Sequence, residues 1–158
     1  MLHGTTLALA GRQPIEIRYE VTCDKSWRTI RAQVTLLRES RERSLELAVE
    51  GGRWYAQGRE IREVRGSIDV DLGWSPSTNT LPIRRLHLRV RESSGPLTMA
   101  WVRFPELTVE PLAQEYLRLS RNRYRYRSRR GSFKAELEVD RDGLVVTYGD
   151  FWRRIRPV

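Results

Sequence analysis

One cysteine, two histidines and two lysines (Lys25, Lys134) are all that the 158 residues contain of those types, and no apolar run approaches the length of a membrane helix. A lone Cys23 makes no internal disulfide, so nothing in the chain calls for an oxidising compartment. His3 and His87 do not amount to a Cys/His metal set, which removes zinc from the candidates. Missing too are a Gly-rich phosphate loop, a Gly-x-Ser-x-Gly elbow and a Cys/His dyad, so neither a metal nor a cofactor is expected and no residue is assigned as catalytic. The N-terminal residues 1–13 hold only the short apolar piece Leu7 to Ala10 with no basic segment before it, which fits neither a signal peptide nor a span. The expected location is the cytoplasm, and residues 1–13 with His3 are expected to be a mobile end.

The charge that is present is lopsided. Net charge is +9 and the pI is about 10.5, a balance that ordinarily points toward nucleic acid or anionic membranes. Nearly all of it is Arg, and the densest run, residues 120–130, alternates Tyr124 and Tyr126 with Arg123, Arg125 and Arg127. On a strand that alternation sends the tyrosines to one face and the arginines to the other, whereas single-strand binders mix aromatic and basic groups in one groove. Nucleic acid is therefore disfavoured as a partner, and the arginines are read as a solvated face.

At this length one domain, residues 1–158, suffices to remove roughly 70% of the extended-chain surface from water. The chain reads as strand after strand. Ile15, Ile17, Tyr19, Val21 and Cys23 alternate with polar residues before a turn at residues 24–26; Ile30, Ala32, Val34 and Leu36 form the next face; Leu45, Leu47 and Val49 lead to a glycine turn at Gly51 and Gly52, and Trp54 starts the return. Leu97, Met99 and Trp101 alternate with Thr98, Ala100 and Val102 in a strand apolar on both faces. Phe133, Ala135, Leu137 and Val139 run into a turn at residues 140–143. Residues 113–120 are the best helix candidate. About ten short strands with little helix argue for an all-β antiparallel sandwich, roll or barrel.

The stretch Ser67 to Leu86 organises the rest. Ile68, Val70 and Leu72 alternate with Asp69 and Asp71, then Gly73 and a Ser/Pro/Asn-rich run interrupt before Ile83, Leu86, Leu88 and Val90 resume, with His87 among them. This predicts a long-looped hairpin in which Arg84 and Arg85 neutralise Asp69 and Asp71 across the ladder. The two aspartates are the one acid/base or cation candidate, because carboxylates two apart on a strand raise each other's pKa unless compensated. Five tryptophans are many for this length. Either they fill volume, or they wall a hollow sheet that accepts an apolar or sugar-bearing ligand.

Four blocks carry a resemblance: residues 69–85 with Thr78-Asn-Thr-Leu-Pro-Ile-Arg-Arg85, residues 23–28, residues 133–140 and residues 142–146. Together they resemble the bacterial putative glycolipid-binding family, formerly a domain of unknown function. The resemblance implies a single curved antiparallel sheet, a β-roll or partly open barrel, of the kind that lipoprotein carriers use to hold acyl chains. On that basis the expected ligand is a glycolipid or other amphiphilic small molecule in an aromatic-lined concavity. Trp54, Trp74 and Trp101 would supply the wall, and Asp69, Asp71, Arg84 and Arg85 would orient polar groups at the mouth. Two alternatives stay open: an enzyme on a small amphiphilic or sugar substrate using Asp69 or Asp71, and an interaction protein whose core is filled. An exposed edge of an unclosed sheet offers a route to a homodimer.

Overall fold

The computed structural model describes residues 1–128 and 131–155, so Arg129 and Arg130 at the end of the basic run lie outside the described residues. The all-β expectation holds, with the strands shared between two sheets. The first is a six-stranded meander of β1 (Leu2–Ala10), β2 (Gln13–Cys23), β3 (Thr29–Arg38), β4 (Arg41–Glu50), β5 (Arg53–Ala56) and β6 (Arg59–Glu60). Its alternation is largely the one read from sequence: Ile15, Ile17, Val21, Ala32, Val34, Leu45 and Leu47 all point inward and are buried, whereas Ile30 falls out of phase and is 45% exposed, beside the bulge that shifts the β2–β3 register between Thr22 and Cys23. The N-terminus is no mobile end, because β1 pairs with β2 in register from Leu2↔Val21 to Ala10↔Gln13, and His3 sits in that ladder.

The second sheet is a curled half-barrel of seven strands: β7 (Val70–Leu72), β8 (Leu97–Val102), β9 (Val109–Arg118), β10 (Arg123–Ser128), β11 (Phe133–Val139), β12 (Val145–Tyr148) and β13 (Trp152–Arg153), in the spatial order β13-β12-β11-β10-β9-β8-β7. Residues 113–120, the sequence's helix candidate, belong mostly to β9. Their sparse apolar positions, Tyr116 and Leu117 among them, fit a strand that pairs with β8 and β10 on either side.

The predicted hairpin after β7 is a correction. β7 pairs with β8 in parallel, Val70↔Ala100 to Leu72↔Val102, and a parallel partner requires a crossover of a dozen or more residues instead of a tight turn. The crossover holds a 3-10 turn at Pro76–Asn79 and a short helix, α1 (Thr80–Leu86). Pro82 is tolerated because it falls in the first turn, where the backbone N–H has no intrahelical acceptor. His87 is therefore not in a strand but ends α1 with a left-handed φ of 46°. Buried polar contacts fix the crossover. The Leu72 amide donates to Thr78 Oγ1 (3.1 Å), Asn79 Nδ2 donates to the Pro76 carbonyl (3.0 Å), and Thr80 Oγ1 donates to the Gly143 carbonyl (3.0 Å).

Two apolar cores result. One lies between the first sheet and β7 and β8, joining Ile17, Leu47 and Trp54 to Val70, Leu72 and Val102; the other lines the concave face of the half-barrel with Met99, Tyr116, Tyr126 and Leu137. α1 stitches them together, with Leu81 in the first and Ile83 in the second.

Candidate functional site

The half-barrel does not fill its own concavity. Strand periodicity sends Gln114 and Tyr116 of β9, Tyr126 and Ser128 of β10, and Phe133, Ala135 and Leu137 of β11 to one face, and the ladder aligns them as Tyr116↔Tyr126↔Ala135 and Gln114↔Ser128↔Phe133. On β7 and β8 the register sets Asp71 opposite Trp101, and at the other side Tyr148 pairs with Trp152. Between them lies a cavity of about 420 Å³. Trp74, Trp101, Phe133, Phe151 and Trp152 stand around it, and Asp71, Tyr126, Tyr148 and Ser128 bring polar atoms to it.

The aromatic side is continuous. Tyr126 meets Tyr116 edge-on at 5.3 Å between centroids and Tyr148 at 5.8 Å, and Phe133 packs against Phe151 at 5.5 Å. Trp101 owes its position to Gly73: a Cβ there would lie 2.7 Å from the indole Nε1 and 3.1 Å from the Val102 carbonyl oxygen. Only a glycine lets the chain after β7 pass so close to that ring.

Asp71 is the charged group of the cavity. Protein encloses its carboxyl apart from the surface it shows to the cavity, and burial pushes its pKa up to about 6 from 3.8, with one opposing contact, a hydrogen bond from Gln114 Nε2 at 2.5 Å. The polar chain continues inward: Tyr116 Oη lies 3.1 Å from Gln114 Oε1 and donates to Asn79 Oδ1 at 2.7 Å. Burial and the neighbouring Asp71 charge raise the Tyr126 and Tyr148 phenols, keeping both protonated as donors.

The seven residues singled out in the sequence separate into four places. Asp71, Trp74 and Trp101 share the cavity. Asp69 and Arg85 form a nearly buried ion pair, the arginine reaching from α1 and not across a ladder; burial raises the Asp69 carboxyl while Arg85, and more weakly Arg28, pulls it back. Trp54 is 0% exposed in the first core, its Nε1 donating to the Ser67 carbonyl at 2.8 Å. Arg84 is turned away from the cavity, stacked 4.6 Å over the Trp27 ring and donating to the Asp142 carbonyl at 2.9 Å. Sequence reasoning passed over Phe133, Phe151, Trp152, Tyr148 and Gln114. For Tyr126 the signal was present, since its inward phase was legible in the Tyr/Arg alternation.

Residues 1–154 match the family model described as putative glycolipid-binding. The chain belongs to that family. It is also similar to the crystal structure of a DUF1089 family protein from Pseudomonas aeruginosa, at 29% identity over 97% of this chain and 92% of that chain, with a TM-score of 0.87. No curated protein matches the sequence. Among the described residues no helix is long and apolar enough to cross a membrane.

Proposed function

We propose that the chain binds an amphiphile of glycolipid type, with the sugar or a similarly hydroxylated headgroup in the half-barrel cavity. The observation that carries this reading is the pairing of an aromatic wall with a small set of convergent polar atoms, Asp71, Tyr126, Tyr148 and Ser128, in one cavity of about 420 Å³. That volume lies in the range of about 300–1,000 Å³ usual for small-molecule sites, whose walls are mostly apolar and whose few polar groups fix orientation. Ring hydroxyls would pair with the carboxyl and phenols while the C–H face of the sugar lies on Trp101 or Phe133. Asp69, Arg85 and Trp54 then hold the scaffold and do not touch ligand. In this reading residues 1–158 work as one domain in the cytoplasm.

Titration with n-octyl glucoside below its critical micelle concentration, followed by tryptophan fluorescence, tests this directly. Saturable quenching that Trp101→Ala or Phe133→Ala weakens is the expected result. No response to octyl glucoside or to glucose, with the protein folded, would remove the proposal. A second reading keeps one specific support: a carboxyl held near pH 6 inside a cavity is suited to proton transfer. It separates from pure binding because Asp71→Asn would then abolish turnover of a glycoside substrate while leaving its binding largely intact.

A further inference from the structure

A second cavity, of about 720 Å³, opens on another face, where the C-terminal half of α1 meets the β9–β10 and β11–β12 turns. Arg84, Arg118, Arg121 and Arg141 line it, with His87 beside them and Asp140 as its single carboxylate. That carboxylate is already engaged: Oδ1 accepts from the backbone amides of Asp142 and Leu144, both at 3.0 Å, and Oδ2 accepts from Arg154 at 2.7 Å. Arg141 stands only 3.6 Å from the exposed Asp142 carboxylate. Among the described residues none of Arg84, Arg118 and Arg121 has a carboxylate partner.

Two of these cations are held in place. Arg118 donates to the Leu88, Ser120 and Arg121 carbonyls at 2.7, 3.1 and 2.6 Å, and lies 5.6 Å over the Tyr124 ring. Arg84 is fixed by Trp27 and the Asp142 carbonyl, yet its Nε is buried with no acceptor. Carbonyls and rings that fix a guanidinium without neutralising it leave a preformed positive site, and guanidinium forks match phosphate oxygens in geometry.

We infer that this basic cavity is a phosphate site, taking a phosphomonoester or like multivalent oxyanion independently of the aromatic cavity. Arg84 and Arg118 form its rigid base, and the exposed Arg121 and Arg141 close over the ligand. The phosphate belongs either to a soluble phosphoester or to a lipid headgroup.

The test is calorimetric titration with inorganic phosphate and with pyrophosphate at fixed ionic strength, sodium chloride making up the balance. Arg121→Ser combined with Arg141→Ser changes exposed side chains only. Arg12→Ser, in the β1–β2 turn, with Arg41→Ser, at the start of β4, removes the same charge from exposed positions of the other sheet and its turn. The first pair is expected to weaken phosphate binding by about tenfold or more, through loss of charge-assisted hydrogen bonds, and the second by less than about twofold. Sedimentation with phosphatidylcholine vesicles doped with phosphatidic acid distinguishes the sources. Capture that the first pair abolishes assigns a lipid headgroup, and phosphate binding without capture assigns a soluble ester. Phosphate acting no more strongly than chloride, or both double variants losing affinity equally, would overturn the inference.

Discussion

Replacing Asp71 by Asn should stabilise the protein at alkaline pH and do nothing at acid pH. The carboxyl has no cationic partner, only the Gln114 amide, and burial lifts its folded pKa to about 6 from 3.8. A group whose folded pKa is raised binds its proton more tightly in the native state. Its contribution is therefore intact below pH ~4 and is lost as pH climbs through about 6. Roughly two pH units at about 1.4 kcal/mol each give a penalty approaching 3 kcal/mol above pH 7. Asn matches the carboxyl in shape and carries no charge, and its amide can donate to Gln114 once that side chain turns over. Thermal unfolding of wild type and Asp71→Asn from pH 4 to pH 8 measures the difference. At roughly 2–4 °C per kcal/mol for a domain of this size, the variant should melt up to about 6–12 °C higher at pH 8 and within a degree or two at pH 4. Parallel pH profiles for the two proteins would refute the reasoning, since Asp71 would then ionise no less readily folded than unfolded. A carboxylate that weakens the fold at neutral pH while facing a cavity is the kind of group that function retains at the expense of stability.

Asp69→Ala strands the nearly buried Arg85 guanidinium and should cost about 3–5 kcal/mol by urea denaturation; replacing both partners with apolar residues should recover most of it, and equal losses in the two variants would show that the pair's charge is not what matters. Gly73→Ala drives a methyl into the Trp101 indole and the Val102 carbonyl, so it should lose about 1–3 kcal/mol and alter the near-UV circular dichroism; an unchanged spectrum would mean that Trp101 does not rest on Gly73. Thr80→Val leaves the Gly143 carbonyl without its buried donor and should cost about 1–3 kcal/mol in urea, with a loss under half a kcal/mol speaking against that link between α1 and the half-barrel.

Strands were legible wherever one face is buried and the other wet, as at Ile15 to Val21 and Tyr124 to Ser128, because period-two alternation follows directly from the pleat. The element that links the two cores was not. Seven residues are too few for a helical period to stand out, and Thr80 to Ile83 are all buried, so they show no amphipathic face at all. The Pro and Asn that signal a turn in a hairpin serve here to start a 3-10 turn and the first turn of α1. Asp69 and Arg85 were paired correctly in kind but through the wrong geometry, since a ladder and a crossover helix bring them together equally well. The cavity was only half legible. Trp74 follows from its place three residues after Asp71, yet Trp101 meets Asp71 only through the parallel β7–β8 pairing, and Trp152 and Phe151 reach the same space through the β12–β13 ladder at the far edge of the sheet. No local pattern encodes that closure, nor does composition separate Trp54, which fills a core, from Trp101, which lines a void.

The most direct measurement is native mass spectrometry of gently purified protein, followed by organic extraction and identification of whatever leaves with it. A stoichiometric glycolipid or related amphiphile, lost from the Trp101→Ala variant, is the predicted result. Bare protein in repeated preparations, with no thermal shift on adding amphiphiles, would contradict the account.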